Sequence, residues 1–157
     1  MKHKIAEILI KKGLTIATTE SCTGGLLSSN LTDVSGSSAF IHLNLVTYAN
    51  EAKNKMLGVK SDTLENFGAV SEECALEMAE GLHKLTGADI CVSTTGIAGP
   101  TGGSENKPVG LMYSAIHAFN RTEVYKILMP PDLDRVLMKQ KFTEAVLKNI
   151  YSLLSSL

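Results

Sequence analysis

The sequence predicts an α/β protein: one mixed β-sheet with helices on both faces, a three-layer α/β/α sandwich. Three observations carry this. Segments with apolar residues at helical spacing and segments with strand-like patterning follow one another as α-β-α-β-α-α-α-β-β-β-α. The early strand candidates are separated by helices, whereas the last two are joined by a short turn at Asn120, which suits a sheet of mixed direction. The chain of 157 residues has no internal repeat, low-complexity tract or linker, so a single domain over 1–157 is expected.

The elements follow in order. Lysines alternate with Ile5, Ile8, Leu9 and Ile10 over residues 2–12, an amphipathic helix stopped by Gly13. Leu14–Thr19 reads as the first strand, and Thr23–Leu31 as a helix with Leu26, Leu27 and Leu31 on its apolar side. A hydroxyl-rich turn, 33–38, leads to a β-branched and aromatic strand over Phe40–Tyr48. Asn50 is expected to cap a short helix through Met56 and Leu57, with Gly58 at its end, and a second short helix starts at Ser61 or Asp62 and ends before Gly68. Ser71 caps a stronger helix, with Ala75, Met78, Ala79 and Leu82 at helical spacing and Gly87 at its end. Ala88–Thr94 is a short buried strand. A loop with Gly96, Gly99, Pro100, Gly102 and Gly103 follows, then strands over Val109–Ala118 and Glu123–Met129. Pro130-Pro131 forces a break, and Asp132–Leu157 is one long helix.

Composition narrows the class. With 44% hydrophobic and 20% charged residues the chain can build an ordinary core without staples. A net charge of −1 gives no electrostatic footprint for nucleic acid or an anionic membrane. Three cysteines, Cys22, Cys74 and Cys91, without CxxC spacing argue against a disulfide framework. With no signal-peptide pattern and no run long enough to span a bilayer, a cytoplasmic protein is the expectation. The His and Cys residues are too scattered for a metal site, and no cofactor is expected.

Three stretches could carry chemistry. Thr18-Thr19-Glu20-Ser21-Cys22-Thr23-Gly24-Gly25 places a hydroxyl where a strand passes into a helix, with N–H groups opening toward solvent; an ordinary helix cap is the competing explanation. Ser21, Ser38, Tyr48 and Lys53 form a second set. Serine needs a base, none of the four histidines stands near a candidate serine, and lysine is the alternative base. Ser38 and Lys53 flank the same strand, however, so pairing them requires a bent strand, a bulge or a partner subunit. Spacing alone favours a capping Ser38 and a solvated Lys53. The Thr94–Ser104 loop could cradle a phosphate on backbone N–H groups, although it is not a Walker A loop. Arg135, in Asp132-Leu133-Asp134-Arg135, could clamp a phosphate or sit as a solvated first-turn charge.

Glu20-Ser21-Cys22-Thr23-Gly24-Gly25, Gly36-Ser37-Ser38-Ala39-Phe40, the segment from Val46 to Lys53, Gly68-Ala69-Val70-Ser71, the loop from Gly96 to Ser104 and Lys107-Pro108-Val109-Gly110 resemble the CinA C-terminal domain family. The resemblance runs from about residue 4 to the C-terminus. Stand-alone members are nicotinamide-nucleotide amidases, which implies an α/β/α fold and hydrolysis of nicotinamide mononucleotide to nicotinate mononucleotide and ammonia, within pyridine-nucleotide recycling. It further implies a metal-free serine–lysine mechanism. On that resemblance Ser38 and Lys53 are expected as nucleophile and base, Tyr48 as an aid to proton transfer, and Ser21 and Thr95 as donors to substrate or oxyanion. Thr23, Gly24, Gly25, Gly96, Gly99, Gly102, Gly103 and Arg135 are expected to bind the nucleotide. The partner is then a small nucleotide, with no nucleic acid or membrane, and a homodimer or higher homo-oligomer is expected. A non-catalytic nucleotide-binding module of the same fold is the alternative. Two departures stand out: Ile41-His42-Leu43-Asn44 replaces a region where the family has a glycine, where a positive φ would suit Asn44 in part and Leu43 not at all, and the segment before Arg135 differs from the family's Gly-Asp-Arg. A hydrogen bond between Ser38 and Lys53 would establish their pairing; wide separation would return the nucleophile to Ser21.

Overall fold

A computed structural model describes all residues, 1–157. Five strands form one sheet in the order β2-β1-β3-β4-β5. They are β1 (Ile16–Glu20), β2 (Ile41–Val46), β3 (Ile90–Gly96), β4 (Leu111–Ala118) and β5 (Arg121–Leu128). β2, β1 and β3 run parallel, and β4 and β5 add antiparallel. The mixed sheet expected from the connections is therefore present, with the parallel crossovers made by helices.

The helices are α1 (Lys2–Lys12), α2 (Leu26–Thr32), α3 (Asn50–Leu57), α4 (Ser61–Asn66), α5 (Glu72–Thr86) and α6 (Arg135–Ser155). α1, α2 and α6 cover one face, where Ile5, Leu9, Leu27, Leu31, Met138 and Phe142 pack on Ile16, Ile90, Val92, Met112 and Ile116. α3 and α5 supply the other layer, with Leu57, Met78 and Leu82 against Ala17 and Cys91. The alternation of side chains along a strand explains the split, since Ile16 faces one layer and Ala17 the other. α1, α3 and α5 each end at a left-handed glycine, Gly13, Gly58 and Gly87, and Ser71 caps α5 by accepting from Cys74 N.

Three local expectations change. The Thr23–Gly25 segment is a turn, and α2 begins only at Leu26, because Gly24 and Gly25 adopt positive φ of 61° and 99° outside the helical region. Asn50 is the first residue of α3, whose cap is Ala49. The Ile41–Asn44 departure needs no positive φ: the non-glycine residues with positive φ are Phe119 and Asn120, in the β4–β5 turn. Asn44 is an ordinary strand residue whose Oδ1 accepts from Thr18 Oγ1 at 2.9 Å. The register instead shifts at His42, where Ile16 pairs with Ile41 and Ala17 with Leu43.

Candidate active site

Parallel neighbours bring their C-terminal ends to the same edge of a sheet, and α/β proteins place sites there. β1 ends at Glu20 and β2 at Val46, which are register partners. The chain leaving β1 carries Ser21, and the chain leaving β2 turns through Thr47 and Tyr48 into α3, which carries Lys53. Lys53 is 1% exposed, and its Nζ lies 3.1 Å from Ser21 Oγ, 2.9 Å from Thr47 O and 2.9 Å from Tyr48 O. As an ammonium it can donate to all three. As a neutral amine its two N–H groups serve the two carbonyls and its lone pair faces the Ser21 hydroxyl. Burial lowers the Lys53 pKa from its usual 10.5, with the neighbouring Cys74 and Cys22 acting weakly in the opposite sense. Cys22 follows Ser21 but is no rival nucleophile, since burial pushes its thiol up to about 12.

The pair opens into a cleft of about 250 Å³. Tyr48, Asn50 and Arg135 stand on one side, Ala69 and Val70 on another, and Thr95 to Gly99 with Thr101 and Gly102 on a third. The N–H groups of Ala98, Gly99, Thr101 and Gly102 donate to no acceptor in the protein and are free for water or an anion. Gly99, with φ of 76°, is backed by Val109, so a side chain there would be both strained and crowded. Asp134 caps α6 by accepting from Leu137 N, and this sets the register of Arg135. Arg135 Nη1 donates to Gly99 O at 2.6 Å and Nη2 to Tyr48 OH at 3.1 Å, joining two walls of the cleft. A second cleft of similar volume lies beside Phe119, Tyr125 and Leu153, away from Ser21 and Lys53.

The structure thus brings together Ser21, Lys53, Tyr48, Thr95, Gly96, Gly99, Gly102 and Arg135. It does not bring Ser38 to Lys53. Ser38 is exposed on a 3-10 turn, Ser37–Ala39, before β2, while Lys53 lies beyond the strand's other end. The six residues of β2 span roughly 20 Å at ~3.3 Å each, and the bulge at His42 does not fold the strand back. Thr23, Gly24 and Gly25 also lie off the cleft. Thr23 is buried among Glu20 and Thr94, and the N–H groups of Leu27 and Ser28 at the start of α2 already bind the Glu20 carboxylate. Gly103 packs against Val109 instead of lining the cleft. Thr95 lines it, but its hydroxyl donates to Ala69 O at 2.7 Å, which commits that proton to holding the Ala69–Val70 wall. The Tyr48 phenol sits at the exposed mouth, 57% exposed, while its backbone carbonyl holds Lys53. Ala69, Val70, Asn50 and Cys22, which lie in the quoted motif segments but were given no role there, enter the lining. The usable signal for the Ser21–Lys53 pair was positional: both follow the C-terminal ends of strands joined by one helical crossover.

Residues 1–154 match the sequence profile of the CinA C-terminal domain. A CinA-like protein of Chloroherpeton thalassium is 46% identical over 164 aligned positions, which cover 99% of this chain and 38% of that protein. Another, from Kosmotoga olearia, is 50% identical over 136 positions, 87% of this chain and 33% of the relative. The chain therefore spans only about a third of the length of these relatives. Among solved structures, a competence/damage inducible protein from Agrobacterium tumefaciens superposes with a TM-score of 0.91 at 40% identity, covering 97% of this chain and 94% of that one. A CinA superfamily protein from Klebsiella pneumoniae superposes with a TM-score of 0.94 at 31% identity, covering 99% and 96%. One profile and one fold account for nearly the whole length, and the chain belongs to the CinA C-terminal domain family.

Proposed function

We propose that this chain is an amidohydrolase that converts nicotinamide mononucleotide to nicotinate mononucleotide and ammonia, with Ser21 as nucleophile and Lys53 as base. The observation that carries the proposal is the buried Lys53 amine 3.1 Å from Ser21 Oγ, oriented by two backbone carbonyls. Ser21 Oγ attacks the carboxamide carbon as Lys53 takes its proton. Collapse of the tetrahedral intermediate passes that proton to the departing nitrogen, releasing ammonia and leaving an ester on Ser21. Water, deprotonated by the same amine, attacks the ester and returns the proton to Ser21, leaving a carboxylate. A base that alternates roles in this way needs a pKa below that of free lysine, and burial acts in that direction. The Cys22 N–H, on the residue after the nucleophile, has no acceptor on another residue and is suited to the developing oxyanion. The free N–H groups of the Ala98–Gly102 loop, with Arg135, suit the nucleotide phosphate.

Incubating the purified chain with nicotinamide mononucleotide and measuring ammonia, with chromatographic identification of the acid product, tests the proposal. Release that disappears in Ser21→Ala supports it. Calorimetric binding of the nucleotide without any turnover would assign the site to a non-catalytic nucleotide-binding module.

A further inference from the structure

Glu20, immediately before Ser21, is 0% exposed and has no cationic partner, since none of the chain's salt bridges includes it. Buried carboxylates without a counter-charge are costly unless each lone pair is used. Here each is. Thr23 Oγ1 and Leu27 N donate to Oε1 at 2.7 and 2.8 Å, and Ser28 N and Ser28 Oγ donate to Oε2 at 2.9 and 2.5 Å. These donors come from the turn after Ser21 and from the first residues of α2. Thr18 Oγ1, 2.8 Å from Ser28 Oγ, gives its own proton to Asn44 Oδ1 on β2 at 2.9 Å.

The carboxylate also sets the direction of a hydroxyl chain. Thr23 has one hydroxyl proton, and it goes to Glu20. In the 2.8 Å contact between Thr23 and Thr94 the proton must then come from Thr94. This leaves a Thr94 lone pair for the Ser21 N–H, 3.3 Å away, which also donates to Thr94 O at 3.0 Å. The order is Ser21 N–H to Thr94, Thr94 to Thr23, Thr23 to Glu20. Thr23 and Thr94 are both 0% exposed, so water does not compete for these contacts.

We propose that Glu20 is a positioning residue for the Ser21–Lys53 reaction. Its buried carboxylate, acting through Thr23, Thr94 and the start of α2, holds the Ser21–Gly25 turn so that the Ser21 hydroxyl and the Cys22 N–H meet the reacting carbonyl together. Glu20 does not itself line the cleft and makes no hydrogen bond to Lys53, so it exchanges no proton with substrate. Its effect is geometric, and displacement of a reacting group by about 1 Å can cost about 100-fold in rate. The inference rests on the amidase proposal above.

The test compares Glu20→Gln, Thr23→Val and Thr23→Ser with wild type. Thr23→Val keeps the shape and removes the hydroxyl; Thr23→Ser restores the hydroxyl, so it separates the hydrogen bond from the packing. Two readouts are taken: kcat and KM for ammonia release, and binding of pyridine-3-boronic acid, a probe whose tetrahedral adduct on a serine needs no turnover. The expected result is a fall in kcat of about 10-fold or more in Glu20→Gln and Thr23→Val with KM within about twofold. Boronate binding weakens in parallel, and Thr23→Ser recovers to within about threefold of wild type. Wild-type kcat and adduct formation in Thr23→Val would overturn the positioning role, as would a loss confined to KM or no recovery in Thr23→Ser. If wild type forms the adduct without releasing ammonia, the amidase proposal fails and the adduct alone judges Glu20. If it gives neither, both proposals fall.

Discussion

Replacing Lys53 by methionine keeps the unbranched four-atom stem of the side chain and removes the amine. Three contacts disappear, to Ser21 Oγ, Thr47 O and Tyr48 O. A positioned general base contributes about 10²–10⁴ in rate, or about 3–5 kcal/mol on the barrier, so turnover should fall by that factor. Stability should change far less. Thr47 is 2% exposed, and leaving its carbonyl unpaired costs about 1–3 kcal/mol. The variant no longer buries an amine, which offsets that cost, while the exposed mouth at Tyr48 lets water take over the other carbonyl. The assay is ammonia release from nicotinamide mononucleotide across pH, with thermal unfolding as a control. With the neutral Lys53 amine as the proposed base, wild-type kcat/KM should rise with pH, centred below 10.5 as burial lowers the Lys53 pKa. Stability should move the same way. The unfolded chain keeps that proton up to about 10.5 while the folded chain gives it up earlier, so stability grows as pH rises between the two values. Below the folded-state pKa the full cost of burying the ammonium remains. Lys53→Met retaining more than about a tenth of wild-type activity, or a wild-type profile without this rise, would refute the reasoning.

Ser21→Ala should abolish ammonia release, whereas Ser38→Ala should stay within about twofold of wild type because Ser38 is exposed beyond the other end of β2; kcat for both variants decides the assignment. Arg135→Ala should raise KM for the mononucleotide by about 10-fold or more and leave the phosphate-free nucleoside little changed. Comparing kcat/KM for the two substrates checks this, and equal losses on both would contradict a phosphate role. Phe142→Ala, in the 0% exposed core beneath α6, should cost about 3–5 kcal/mol in urea unfolding, and a loss under about 1 kcal/mol would contradict the packing described.

Much of the architecture was legible in the chain. The order of helices and strands, the glycine stops at Gly13, Gly58 and Gly87, and the Ser71 cap follow from local chemistry: φ/ψ preference, capping and apolar period. Strand ends were less legible. The 14–19 expectation became Ile16–Glu20 because tertiary pairing with β2 and β3 overrides local propensity. The motif residues Ser21, Lys53, Tyr48, Thr95 and Arg135 were recognised from the sequence, but the attacking serine was assigned to Ser38. That pairing came from the family resemblance and ran against the spacing, which puts a whole strand between the two residues, whereas parallel neighbours bring residues 32 positions apart to one edge.

The stretch from Thr18 to Gly25 shows the same division. That the chain from Thr18 leaves a strand and enters a helix is a local property, and the sequence by itself determined it, although the helix begins only at Leu26. Which of its groups face the cleft is not local. Glu20 and Thr18 alternate with Thr19 across the sheet, and only the docking of α2 puts the Ser28 and Leu27 N–H groups on the Glu20 carboxylate. Those donors then serve the protein's own anion instead of a ligand, while Ser21, past the end of the strand, is left beside Lys53. Hydrogen bonds between distant segments, each available only once the sheet has formed, decided that outcome.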